Sequence, residues 1–347
     1  MFDKFVGNNR IKENIKHLIA QKRVPHSLLF VGAEGIGKKQ FALELAKAFV
    51  CQNSKAGEAC DVCPACKRAD KFVFPKSDDR DAFKRVIFTE HSDVGLVIPY
   101  GKNILVDAIR ELETEANFRP FESRARFFLI DEADKMNEAA SNALLKTLEE
   151  PAPTTYLFLI TSRPDALLPT IRSRCQTVRF APVEVKQIEN YLLASKKFAP
   201  ADAELLSKLS NGSVGYALNL NLEKFRGQRE AMLGVLESLL LTKDRAALLR
   251  MTEEMNDAKT KDEYETRLEI LQTLIHDIWA LQLGGEKETV VNVDIISNLT
   301  KLTTRADRKI LPAWLTEIET LRERLNVNVN RKIATDALFM QMANTVN

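Results

Sequence analysis

The sequence predicts an α/β domain built on a parallel sheet with helices on both faces, followed by a small helical domain and an all-helical C-terminal region. Three observations carry this expectation. Short apolar runs alternate with amphipathic segments up to about residue 181. The strand-like runs fade after Ala181-Pro182, and from about Phe225 the pattern is mostly helical. At 347 residues the chain exceeds one ordinary core, so two or three domains are expected, at 1–181, 182–224 and 225–347.

Taken in order, the strand candidates are 27–31, 85–88, 126–130, 156–161 and 176–180. Between them, 38–50 repeats Phe41, Leu45 and Phe49 at spacing four, 104–115 gathers Ile104, Leu105, Ile109 and Leu112, and 138–150 carries Leu144, Leu145 and Leu148. Each puts its apolar residues on one helical face. Asn137 is the expected N-cap of the last, and Pro151 stops it. Beyond residue 182, helices are expected at 185–193 and 201–209 around the turn Asn211-Gly212-Ser213. Others follow at 229–241, 245–254, 264–283, 310–325 and 330–345, with Gly284-Gly285 as a break. Segment 67–102 is interrupted by Ser77 to Asp81 and by His91-Ser92-Asp93 without a clear period, and reads as loop-rich.

Composition narrows the function classes. Apolar residues make up 45% and charged residues 28%, with 13 Gly and 12 Pro, which fits a soluble globular protein and excludes collagen-like, disordered and membrane classes. Fifty basic against 48 acidic residues give +2, so bulk charge does not drive nucleic-acid binding, and any DNA contact is local or shared with partners. No apolar run approaches the ~18 residues a membrane span needs. The first sixteen residues lack an apolar signal core. A cytoplasmic location is expected.

Four motifs carry chemistry. Gly32-Ala33-Glu34-Gly35-Ile36-Gly37-Lys38-Lys39 lies between a strand and a helix, the order a phosphate-binding loop requires. Gly32, Gly35 and Gly37 let backbone N–H groups converge on phosphate oxygens, and Lys38 reaches the β and γ phosphates. The bland alternative is a glycine turn entering a helix. Lys39 stands where a Ser or Thr hydroxyl would coordinate Mg²⁺, so the loop can exist while its magnesium chemistry is impaired. The second motif, Phe127 to Asp134, is an apolar strand ending in carboxylates. Asp131 could hold Mg²⁺ and Glu132 could polarise a water, although such a strand end is often simply solvated.

The third motif is Ile171-Arg172-Ser173-Arg174-Cys175, preceded by a strand ending at Thr161 and Ser162. The functional reading is an arginine supplied to a neighbour's γ-phosphate; the plain one is a solvated charge pair. Glu149 and Glu150 close a helix where its dipole disfavours negative charge, a local misfit that hints at an interface. The fourth, Cys51, Cys60, Cys63 and Cys66, crowds four of five cysteines into an excursion after the loop helix. That spacing suits a closed, structural Zn²⁺ site better than free thiols or a redox pair. Cys175 stands apart as a small packing residue.

Together, Arg-Ser-Arg-Cys at 172–175, Asp131-Glu132-Ala133-Asp134, Leu144 to Pro151 with its Leu-Leu-Lys-Thr-Leu-Glu-Glu-Pro sequence, and the four-cysteine insertion resemble the clamp-loader branch of the AAA+ ATPases. The resemblance covers the first 220 residues well and the C-terminal third only by helical character. It implies an AAA+ domain, a helical lid and a C-terminal collar. It also implies a five-subunit ring with gamma/tau and delta partners that opens the sliding clamp and loads it on primed DNA. Arg174 would be the finger completing the ATP site of an adjacent gamma/tau subunit, and Thr161 a nucleotide sensor.

Two departures from the ATP-hydrolysing gamma/tau pattern bear on the role. Lys39 replaces the hydroxyl residue, and Gly215, within Gly212-Ser213-Val214-Gly215-Tyr216-Ala217-Leu218, stands where the lid arginine would be. They imply a subunit without catalysis of its own, with ATP and Mg²⁺ used in the assembled complex and doubtful in this subunit. Two alternatives stay open. One is a gamma/tau-type motor, or another AAA+ remodeller, with Lys38 and Glu132 working in cis. The other is a zinc-dependent nucleic-acid binder using Lys67, Arg68 and Lys71.

Overall fold

The computed structural model describes residues 2–55, 57–257, 263–325 and 329–346. Its contacts divide the chain into two compact units: Met1–Tyr191 with Ser210–Leu218, and Leu192–Leu209 with Asn219–Asn347. Of segment 182–224, residues 182–191 and 210–218 fall in the first unit and the remainder in the second.

The first unit is a six-stranded sheet of β1 (Ser27–Val31), β2 (Ile87–Phe88), β3 (Val94–Val97), β4 (Arg126–Ile130), β5 (Thr155–Thr161) and β6 (Gln176–Arg179). The order is β2-β3-β4-β5-β1-β6, with β2 antiparallel to β3 and every other pair parallel. Strands β1 and β4 are buried throughout, which is why they read as unbroken apolar runs: a parallel sheet is covered on both faces. Alternate residues then serve opposite layers. Leu29, Val31, Phe128, Ile130, Leu157 and Leu159 share one core with residues of the helices Val106–Ala116 and Glu138–Glu149. Phe30 and Phe127 meet the rings of Phe41 and Phe49 from Lys38–Val50 on the other face, at centroid distances of 6.3 and 5.2 Å.

The helices of the chain, numbered in order, are α1 (Asn9–Ala20), α2 (Lys38–Val50), α3 (Pro64–Ala69), α4 (Val106–Ala116), α5 (Glu138–Glu149), α6 (Pro169–Arg172), α7 (Val185–Ala194), α8 (Pro200–Leu209) and α9 (Val214–Asn219). They continue with α10 (Leu222–Glu237), α11 (Arg245–Met255), α12 (Tyr264–Gln282), α13 (Ile296–Thr303), α14 (Ile310–Arg324) and α15 (Arg331–Thr345). The fold is thus the expected α/β domain, a mostly parallel sheet with helices on both faces, followed by helices. Asn137 caps α5 as expected, its side chain accepting from the Ala140 N–H.

Segment 67–102 departs from the loop-rich expectation. It contributes β2 and the interior strand β3, while the expected strand at 85–88 shortens to Ile87–Phe88. Of the residues that looked like an interruption, His91 and Asp93 are buried, whereas Ser92 and Ser77 to Asp81 are exposed and remain in loops. Both carboxylate oxygens of Asp93 accept backbone N–H groups from Phe121, Glu122 and Ser123, so a charge in the sequence is a loop anchor in the fold. Among the described residues five helices, α1, α3, α6, α9 and α13, also lie outside the expected set. Helix α10 begins before the expected residue 229, because the Asn221 side chain caps it at the Lys224 N–H.

Among the described residues the second unit has helices and no strands. Leu268, Leu271 and Ile275 of α12 pack with Trp314 and Ile318 of α14 and Phe339 of α15 in one buried cluster. Within it Arg229 donates to both carboxylate oxygens of Asp294 at 2.6 Å, and buried Asp277 accepts from the backbone N–H groups of Val291 and Asn292. Among the described residues no helix is long and apolar enough to cross a membrane.

Candidate nucleotide site, surface arginine and cysteine cluster

Strand β1 runs into the glycine loop and the loop into α2, with Gly37 at φ 98° as the last residue before the helix. The loop borders a cavity of about 250 Å³ lined by Glu34, Gly35, Gly37, Lys38, Lys39, Gln40, Asp131, Glu132, Ile160, Thr161 and Ser162. The structure therefore brings the phosphate-loop residues, the β4 carboxylates and Thr161 to one place. Gly32 lies at the loop entrance, packed against Phe180. The Lys38 ammonium is turned onto the loop itself, donating to the carbonyls of Gly32 and Ala33 at 2.7 Å each. Burial lowers its pKa, opposed by Asp131 and Glu34.

Lys39 makes the decisive contact in this cavity. Its ammonium lies 2.9 Å from Oδ2 of Asp131, so the carboxylate that would help hold a metal already has a cation, delivered by the residue that replaces the hydroxyl ligand. The remaining groups are similarly engaged. Glu132, at φ 48°, pairs with Lys135. The Thr161 hydroxyl donates to Asp134 Oδ1 at 2.7 Å and accepts from the Arg163 N–H, and Arg163 also binds Asp134. Asp134 and Arg163, rather than Thr161 alone, form the cluster at the end of β5. Nothing in the local sequence pattern singled out Arg163.

The start of α9 lies on the loop. The Gly215 N–H donates to the Gly35 carbonyl at 2.9 Å, and a Cβ built on Gly215 would sit 2.6 Å from that oxygen. Gly35, at φ 71°, is equally confined, since a Cβ there would meet Ser213 Oγ at 2.5 Å. No side chain fits at 215 without moving α9 off the loop.

Arg174 sits elsewhere in this unit, just before β6. One terminal nitrogen donates to the Thr170 carbonyl at 3.0 Å and the other to Oε1 of Glu149, the last residue of α5. Its side chain is one third exposed. Arg172 pairs separately with the exposed Asp165. Cys175 is buried in the sheet core, as a packing residue should be, and burial pushes its thiol up to about 12.

Residues 7–184 match the family described as DNA polymerase III, delta subunit, and residues 225–343 match the family described as DNA polymerase III, delta subunit, C terminal. DNA polymerase III subunit delta' of Bacillus subtilis (strain 168) is 31% identical over 322 residues, which is 92% of each chain. The chain belongs to the DNA polymerase III delta' family. The Escherichia coli (strain K12) delta' subunit is 29% identical over 91% of this chain and 88% of its own length. The Bacillus subtilis tau subunit is 29% identical over 78% of this chain but 46% of its own length.

This delta' family member also carries a compact cysteine cluster. Cys51 ends α2, Cys63 caps α3 with Pro64 in its first turn, and the Sγ atoms of Cys51, Cys60, Cys63 and Cys66 lie within 4.8 Å of one another. Backbone N–H groups of Cys60, Cys63 and Cys66 donate to the sulfurs of Cys51, Cys60 and Cys63 at 3.3 to 3.5 Å. Burial raises the Cys63 thiol, but the N–H groups of Cys66 and Gln52 and the neighbouring cysteines outweigh it and bring it to about 6. Four thiols this close, with N–H donors aimed at them, can hold a metal such as zinc. The knuckle is tied down by Lys47 of α2, a buried ammonium bound to Asp61 at 2.6 Å and Asp70 at 2.7 Å.

Proposed function

We propose that this chain is a delta' subunit of a clamp loader in DNA replication that does not hydrolyse ATP itself and supplies Arg174 in trans to the ATP site of a neighbouring gamma/tau-type subunit. It works in a ring of five subunits that opens the sliding clamp and loads it on primer-template DNA. Its own site residues, Gly32, Gly35, Gly37, Lys38, Asp131, Glu132 and Thr161, are a degenerate nucleotide site. Its domains are a nucleotide-binding-type domain at 1–181, a lid at 182–224 and a collar at 225–347, and it acts in the cytoplasm. Cys51, Cys60, Cys63 and Cys66 hold a structural Zn²⁺, which braces the excursion after α2.

The observation that carries this reading is the pair Lys39–Asp131 at 2.9 Å, a protein cation against the carboxylate a motor subunit uses for magnesium. The contact of Gly215 with Gly35 supports it, since a lid arginine at that position would meet the loop backbone. A partly exposed Arg174 beside Thr170 and Glu149 supports the trans role.

The test is hydrolysis by the reconstituted complex. Arg174→Ala is expected to slow turnover at the one site it adjoins by about 10³-fold, the lower end of what a trans arginine contributes. Lys38→Ala is expected to leave the complex unchanged. Loss of turnover with Lys38→Ala and none with Arg174→Ala would establish a motor subunit instead.

A further inference from the structure

We propose that Glu149 is a positioning residue for Arg174, presetting its guanidinium for the neighbour's γ-phosphate; this inference rests on the trans-acting reading of Arg174 given above. The carboxylate holds one terminal nitrogen and the Thr170 carbonyl holds the other. A guanidinium has five N–H donors in a fixed plane, so these two contacts define its orientation and leave donors free for a phosphate.

The location of Glu149 argues for a role beyond stability. It is the last residue of α5, at the helix end where the dipole disfavours a carboxylate, and its side chain is about half exposed. An exposed pair at such a place adds little to folding. An arginine on a surface loop has many rotamers, and fixing it before the neighbour arrives removes an entropy cost from the step in which it acts. The partner group, Thr170, belongs to the first turn of α6, so the guanidinium is held between the ends of two helices.

The test uses the assembled complex with its other ATP sites disabled, so that hydrolysis reports only the site adjoining this subunit. Glu149→Gln keeps the shape and an acceptor oxygen, and Glu149→Ala removes both. Glu149→Ala is expected to lower kcat about tenfold with KM for ATP unchanged, Glu149→Gln to fall between it and the parent, and the melting temperature to stay put. Glu138→Gln, an exposed glutamate at the opposite end of α5, serves as control and is expected to leave kcat unchanged. In an Arg174→Ala background, Glu149→Ala is expected to have no further effect.

Parent-like kcat in Glu149→Ala, a full-sized additional loss in the Arg174→Ala background, or faster turnover, which would mean the carboxylate parks the arginine away from its target, each overturns the inference while leaving the trans role of Arg174 intact. Absence of any effect from Arg174→Ala alone overturns both.

Discussion

Lys39 and Gly215 do in one chain what a single substitution would not. In the proposed role Lys39 stands in place of a magnesium-binding hydroxyl and pairs with Asp131, while Gly215 lets the start of α9 reach the Gly35 carbonyl. Lys39→Thr is therefore expected to free Asp131 and give magnesium-dependent nucleotide binding, visible by fluorescent-analogue titration, yet no hydrolysis, because Gly215 still stands where the family resemblance implies an arginine. Gly215→Ala is expected to destabilise the first unit by about 1 to 3 kcal/mol through overpacking against Gly35, readable as a lower urea midpoint. Both residues were legible in the sequence as departures from a pattern. The pairing of Lys39 with Asp131 was not, because nothing in local spacing says that a residue in the first turn of α2 will meet the carboxylate after β4, ninety-two positions later (131 − 39). Glu149 lies between these cases: its unfavourable helix end was visible, and its partner was not.

Elements follow the same division. Strands β1 and β4 and helix α2 were readable to the residue, because a buried parallel strand is a continuous apolar run and an amphipathic helix keeps one period. Strand β3 hid, since its four residues include Gly95 and follow the buried polar pair His91 and Asp93. Asn137→Ala should remove the cap of α5 and cost about 1 kcal/mol, checked by chemical denaturation. The cysteine excursion was legible from spacing alone. If it holds zinc, purified protein contains stoichiometric metal by elemental analysis, chelation lowers its melting temperature, and Cys63→Ser loses both. The Lys47 contacts that tie the knuckle to α2 became visible only in the fold.

For the whole molecule, the helical unit depends on charge as well as on its apolar cluster. Burial raises the pKa of Asp294, but Arg229 outweighs it and holds the carboxyl below its ordinary value. A carboxylate depressed in the folded state stabilises above its unfolded pKa, and that contribution is lost as pH falls through the depressed value. Stability should accordingly decline in acid below about pH 4. Arg229→Ala should cost about 3 kcal/mol at neutral pH and remove that portion of the acid dependence, measured by urea unfolding at several pH values. Helical character was legible here from periodicity, whereas the Arg229–Asp294 pair joins residues 65 positions apart and was not.

In the proposed role this chain acts on ATP through its neighbour's site and not through its own. Calorimetric titration of the full chain with a non-hydrolysable ATP analogue, with and without Mg²⁺, tests it most directly, because binding in cis needs no partner arginine. With Lys39 on Asp131, no magnesium-dependent binding is expected. Tight binding that requires magnesium would mean that Lys39 leaves the site intact, and would place this chain with the motor subunits.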